Sequence, residues 1–134
     1  MRKTTRLREL FTRPQVFVLP GTANALEAKL VEAVGFEACY MSGSGTASYL
    51  CGLPDAGLTT LTEIVLNARY IANAINIPLV SDADTGYGNA INVRRTVQEF
   101  IRAGVAGIHI EDQVSPKRCG FVVGKQVLPL DEAM

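Results

Sequence analysis

The feature that most constrains this chain is a fourfold alternation of short apolar runs of β character with longer segments of helical periodicity. Residues 16–19 read as a first strand, and residues 24–34 as a helix with Leu26, Leu30 and Val34 on its core face. Gly35 is placed to end that helix in a left-handed conformation. Residues 38–42 read as the second strand, followed by a long loop to Thr59. Thr60 and Glu63 form a capping-box pattern ahead of a helix whose core face is Leu61, Ile64, Val65, Ala68, Ile71 and Ile75. The third strand is residues 78–82. The third helix, residues 92–103, is expected to bury Val93, Val97, Phe100 and Ile101 and to stop at Gly104. The fourth strand is residues 107–111; a loop rich in Gly and Pro follows, and residues 131–134 read as the first turn of another helix.

Strands joined through helices by right-handed crossovers run parallel. The expected fold is therefore α/β, and the expected architecture a (β/α)8 TIM barrel of which about the first four β/α units are present. A complete barrel of this kind takes ~250 residues. At 134 residues the chain reads as a single domain over 1–134, the truncated N-terminal half of such a barrel. A small, open, doubly wound sheet of the flavodoxin type is the alternative. It is disfavoured because the chain stops as its fourth helix begins.

Lys and Arg number 13 and Asp and Glu number 13, so no global charge directs the chain to nucleic acid or to a membrane surface. No apolar run approaches the ~20 residues of a membrane span. The early basic residues Arg2, Lys3, Arg6, Arg8 and Arg13 have no apolar run behind them, unlike a signal peptide. Three cysteines without zinc-type spacing fit a reducing compartment, the cytoplasm or an organellar matrix. Cys39 reads as core and Cys51 as a loop residue without a role. Cys119 lies in a basic, glycine-containing loop.

Side chains two apart on a strand share a face. This aligns Asp82 with Val80 and Asp84, His109 with Glu111, and Tyr40 with Ser42, all near the C-terminal strand ends where barrel active sites form. Leu79, Ile108, Ile110, Cys39 and Met41 fall on the opposite faces, under the helices. Asp82, Asp84 and Glu111 make a carboxylate cluster whose like charges call for compensation. One reading is a hard cation such as Mg²⁺; the other is helix capping or pairing with Arg94, Arg95 or Arg118. The run from Ser42 to Thr46, Ser-Gly-Ser-Gly-Thr, either offers N–H groups to an anionic oxygen or is a flexible turn; it is no dinucleotide fingerprint. In Pro-Lys-Arg-Cys-Gly, residues 116–120, a thiol beside two cations is either reactive or incidental.

Taken together, SDADTGYGNA (81–90), HIEDQ (109–113) and PKRCG (116–120) resemble the isocitrate lyase and phosphoenolpyruvate mutase superfamily. YMSGSG (40–45) and GLPDAGLTTLTE (52–63) fit the same pattern. The resemblance implies Mg²⁺, or Mn²⁺ in its place, at the barrel mouth, held by Asp82 and Asp84 with Asp55 and Glu111 supporting. It implies that Ser42, Gly43 and Asp82 bind a small carboxylic acid substrate and that Tyr40 and His109 line the pocket. Lys117, Cys119 and Glu111 are the implied catalytic residues, with Lys117 and Cys119 on a loop over residues 113–127 that closes on substrate. The implied reaction is a lyase's cleavage of the C2–C3 bond of a 2-hydroxy di- or tricarboxylate of the 2-methylisocitrate or 2,3-dimethylmalate type. It yields pyruvate and a second acid, with Cys119 protonating the departing carbanion, and the implied whole enzyme is a homotetramer. Carboxyphosphonoenolpyruvate mutase or oxaloacetate decarboxylase chemistry on the same scaffold, or a catalytically silent truncated relative, are the alternatives. One departure stands out: the family's loop continues Cys-Gly-His, and here Phe121 takes the histidine's place.

Overall fold

A computed structural model describes residues 1–133; Met134, the end of the predicted final turn, lies outside the described residues. Four parallel strands form one sheet in the order β1-β2-β3-β4: β1 (Gly21–Thr22), β2 (Cys39–Met41), β3 (Leu79–Asp82) and β4 (Gly107–His109). The helices among the described residues are α1 (Lys3–Thr12), α2 (Ala25–Val34), α3 (Gly43–Thr46), α4 (Leu61–Ala74), α5 (Ala90–Ala103) and α6 (Leu130–Ala133). A π-helical turn, Ala47–Cys51, continues α3.

The strand order rules out the doubly wound alternative, because an open sheet of that type reverses its order to receive helices on both faces. Here the order follows the chain without reversal, and α2, α4 and α5 lie side by side. The core forms where they meet the sheet: Cys39, Met41 and Leu79 pack against Ala28, Ile64, Ala68, Ile71 and Phe100. The other face carries Tyr40, Val80 and Asp82, the inward positions of a barrel wall.

Local chemistry fixes the helix ends. Asn24 caps α2 by accepting from Glu27 N–H, and Gly35 ends it at φ 101°. The Thr60–Glu63 capping box forms, and Gly104 ends α5 at φ 86°. Asn89 caps α5 through a second capping box with Asn92, which starts that helix at Ala90, ahead of the expected position.

Several expectations need correction. The first strand is not residues 16–19, where Val16 and Val18 are exposed; pairing begins at the Pro20 carbonyl, which accepts from Tyr40 N–H. The segment before it folds back so that Phe17 meets Phe11 of α1 edge-on at 5.3 Å. That helix was not anticipated. Its Leu7 and Leu10 are buried, and Leu7 lies so close to Gly107 that a Cβ there would meet it at 2.9 Å. On α2 the Leu26, Leu30 and Val34 stripe faces outward, while Ala28 is buried and Ala25 and Val31 pack beside it. On α5 Ile101 is exposed and Thr96 is buried in its place, its hydroxyl donating to Gly86 C=O at 2.8 Å. Ile110 lies beyond the end of β4 and is exposed.

Candidate active site

The site lies where β2, β3 and β4 end. Beyond β2, Ser42 is not in a flexible turn. It caps α3, accepting from Gly45 N–H at 3.0 Å. Gly43 follows, and its N–H donates to Asp82 Oδ2 at 3.1 Å. A larger residue there would have to displace Asp82, since a Cβ on Gly43 would lie 2.6 Å from the same oxygen. Below α3, Asn67 of α4 is buried and donates to Ala23 C=O and to the Thr46 hydroxyl. Thr46 in turn donates to Ser42 C=O at 2.8 Å, so a satisfied polar network ties the Ser42–Gly43 turn to the long helix. The sequence carried a signal for it, a polar Asn67 in phase with Ile64 and Ile71.

Asp82 ends β3, and its Oδ1 accepts from Asp84 N–H at 2.9 Å. Strand alternation does not extend to Asp84, which adopts φ 50° in the left-handed region. Tyr87 does the same at φ 59°. Two non-glycine residues in this conformation within one turn mark backbone held by its surroundings. Burial pushes the Tyr87 phenol up, with the charges of Asp84 and Asp82 adding to the effect.

His109 ends β4 and stacks on Tyr40 with ring centroids 5.8 Å apart, the phenol oxygen 2.8 Å from His109 Nδ1. Burial, then the charge of Asp82, pushes the Tyr40 phenol up, which keeps it a neutral donor. Glu111 follows β4, its N–H donating to Asp84 C=O at 2.8 Å. Asp82, His109 and Glu111 each offer a ligand atom within 4.8 Å of the others, a group able to hold a metal ion.

Asp84 is not in that trio. It faces Lys117, whose Nζ lies 3.7 Å from Asp84 Oδ1 and 2.6 Å from Asp55 Oδ1. Lys117 is 6% exposed, although it comes from a surface loop. Burial alone would lower its pKa, but the hydrogen bond to Asp55 and the charges of Asp84, Asp55 and Glu111 outweigh it and raise the value. Burial raises the Asp84 carboxyl, and the Lys117 charge works against that rise. The neighbouring cation is also engaged, Arg118 donating to Val123 C=O at 3.1 Å. Cys119 is half-buried in this loop, and the Phe121 side chain is fully exposed.

Most of the site residues expected from sequence gather at one end of the sheet in two linked groups. Tyr40, Asp82, His109 and Glu111 surround the space beside Gly43, and Asp55, Asp84 and Lys117 form a buried ion-pair cluster next to it. Sequence reasoning gave no role to Tyr87, Asn67 or the side chain of Gln113.

Comparisons with known proteins bear on the family and the fold. The family model for phosphoenolpyruvate phosphomutase matches residues 7–134. The chain is 46% identical to 2,3-dimethylmalate lyase of Eubacterium barkeri, over 98% of this chain and 46% of that protein. It is 48% identical to 2-methylisocitrate lyase of Aeropyrum pernix, over 91% of this chain and 39% of that one. The solved structure of oxaloacetate acetylhydrolase with 3,3-difluorooxalacetate superposes with a TM-score of 0.93 at 42% identity, covering 98% of this chain and 45% of that one. The chain thus spans less than half the length of the relatives it matches. Its four-stranded sheet is part of an α/β barrel, and the chain belongs to the phosphoenolpyruvate mutase and isocitrate lyase family.

Proposed function

We propose that this chain is the N-terminal half of a (β/α)8 enzyme that cleaves a carbon–carbon bond in a small 2-hydroxy di- or tricarboxylate, with Mg²⁺ as its metal. The observation that carries the reading is Lys117. Its side chain is buried against Asp55 and Asp84, which anchors residue 117 of the 113–127 loop to the carboxylates at the strand ends.

The donor set suits a hard cation. Asp82 and Asp84 would be the primary ligands, with Asp55 and Glu111 in support, an oxygen-rich set of the kind Mg²⁺ takes; Glu111 already lies with Asp82 in the group within 4.8 Å, and Asp84 would exchange its Lys117 contact for the ion. Asp82 is fixed from two sides by the Gly43 and Asp84 N–H groups, so its carboxylate is already oriented. When bound, the ion would supply positive charge to stabilise an oxyanion on the 2-oxo acid.

The chain's own residues do the rest. The Ser42 hydroxyl accepts from Gly45 N–H and keeps its proton for a substrate carboxylate. Gly43, without a Cβ, lets the Asp82 carboxylate approach its N–H and so sets the edge of the pocket. Tyr40 and His109, stacked and hydrogen-bonded, form the wall of the pocket. The substrate hydroxyl gives its proton to the Glu111 carboxylate, the C2–C3 electron pair moves onto C3, and C2 becomes the carbonyl of pyruvate. The Cys119 thiol then protonates C3 and releases the second acid. Lys117 holds a buried positive charge beside Asp55 and Asp84 while negative charge develops, and the seated loop keeps water from the carbanion.

The test is pyruvate release from 2,3-dimethylmalate and 2-methylisocitrate by a barrel completed with the C-terminal half of a relative. Mg²⁺-dependent release that falls at least ~100-fold in Cys119→Ser is expected. Release that Cys119→Ser leaves untouched contradicts the role given to the thiol, and turnover of oxaloacetate alone would favour the hydrolase chemistry named for the superposed structure.

A further inference from the structure

The loop over residues 113–127 is closed at its neck. Gln113 and Val127 form an antiparallel bridge, flanked by Val114 N–H to Gln126 C=O and Leu128 N–H to Asp112 C=O, both 2.8 Å. That ladder holds the base of the loop and says nothing about its far side, where Lys117 and Cys119 sit. Besides the Lys117 ion pairs, the Gln113 side chain reaches across to its backbone. Gln113 Oε1 accepts from Arg118 N–H at 3.1 Å, and its Nε2 donates to Arg118 C=O at 3.0 Å. The amide thus pairs with both backbone groups of one residue, as a strand neighbour would. Its Nε2 also donates to the Glu111 carboxylate.

The amide can face only one way. Nε2 meets two acceptors, the Glu111 carboxylate and Arg118 C=O, and Oε1 meets the Arg118 N–H donor; flipping the group would turn Oε1 onto a carboxylate. Arg118 lies between Lys117 and Cys119, so the bonds fix the peptide units on both sides of it. The geometry points to Gln113 as a positioning residue that locks the Lys117–Cys119 segment to Glu111. No other residue type meets all three demands. Asn is one methylene short, Glu has no donor and repels Glu111, and Leu fills the volume without any bond.

This inference rests on the lyase reading for its consequence in turnover but not for its geometry, and the two are tested apart. Hydrogen exchange on the completed barrel, with no metal or substrate, reads the clamp. Gln113→Leu should speed exchange of the Arg118 amide about tenfold, from the loss of its hydrogen bonds, and should change the rate at which iodoacetamide alkylates Cys119. The Val114 and Leu128 amides should keep their protection. Gln113→Glu should also expose Arg118. Adding Glu111→Gln restores an amide–carboxylate pair in the reverse sense and should recover Arg118 N–H protection, a rescue that a mere packing role would not give. Should Gln113→Leu fail to fold, the charged pair of variants decides alone. Unchanged Arg118 exchange in the single variants, or no recovery in the double, overturns the inference. In the completed barrel, Gln113→Leu should lower kcat with KM nearly unchanged, and an unaltered kcat overturns the positioning role. A wild-type barrel without activity would count against the lyase reading and leave the exchange result standing.

Discussion

Gly43 and Asp82 show how closely single atoms set this site. The glycine is needed for close approach, because any Cβ would press on the carboxylate oxygen at 2.6 Å. Gly43→Ala should therefore displace Asp82, costing about 1–3 kcal/mol of stability as an overpacked substitution. Divalent-cation affinity should fall with it, and calorimetric unfolding beside Mn²⁺ titration reads both. Cys39 is a second residue with a definite expectation. Burial pushes its thiol from 9.0 up to about 11. The folded state therefore holds its proton through a range in which the unfolded chain loses it. The resulting stability is complete below pH 9 and is lost as pH rises toward 11. Urea unfolding of wild type against Cys39→Ala should show that differential loss across this window. Tyr40 and Tyr87 also favour the protonated form, but they act equally in both proteins. A constant difference between the two proteins would contradict the assignment.

At the scale of elements, sequence pattern read helix ends well and helix faces unevenly: the α4 face of Ile64, Val65, Ala68, Ile71 and Ile75 is buried as expected, and those of α2 and α5 differ. Gly35, Gly104 and the Thr60–Glu63 box act through local backbone geometry, which the sequence encodes directly. Thr60→Ala should cost about 1 kcal/mol, measurable by thermal unfolding, because it removes a cap and leaves Glu63 without its reciprocal bond. Faces depend on what packs against them. On α2 the leucine stripe looked like the core side, yet a helix lying close on a sheet turns its small residues inward, and Ala28 takes that place. On α5 Thr96 is buried because Gly86 C=O is there to receive its hydroxyl, a partner that no periodicity in the helix announces. The same limit applies to the site. Tyr40, Asp82, His109 and Glu111 were legible from strand parity and motif spacing. The turn of Asp84 into the left-handed region and the burial of Lys117 against Asp55 arise from tertiary contacts. Gln113 stood within a recognised motif, but its role appears only once Arg118 is folded back against it.

At the scale of the whole molecule, the sheet has two edges, β1 and β4, and parallel sheets are normally covered and closed. The inward face with Tyr40 and His109 has no opposing strands among the described residues. Leu26, Leu30 and Val34 add an exposed apolar stripe. Expressed as these 134 residues, the chain should self-associate, and sedimentation equilibrium should give a mass above 14.4 kDa. A cooperative monomer would show that the open edges are tolerated. The carboxylates at the strand ends are proposed as the Mg²⁺ site of a lyase. Calorimetric titration of the completed barrel with Mg²⁺ in the presence of pyruvate tests it most directly. Saturable binding is expected in wild type and at least about tenfold weaker binding in both Asp82→Ala and Asp84→Ala, the loss of a charged ligand contact being worth more than one hydrogen bond. Undiminished Mg²⁺ affinity in both variants would contradict it.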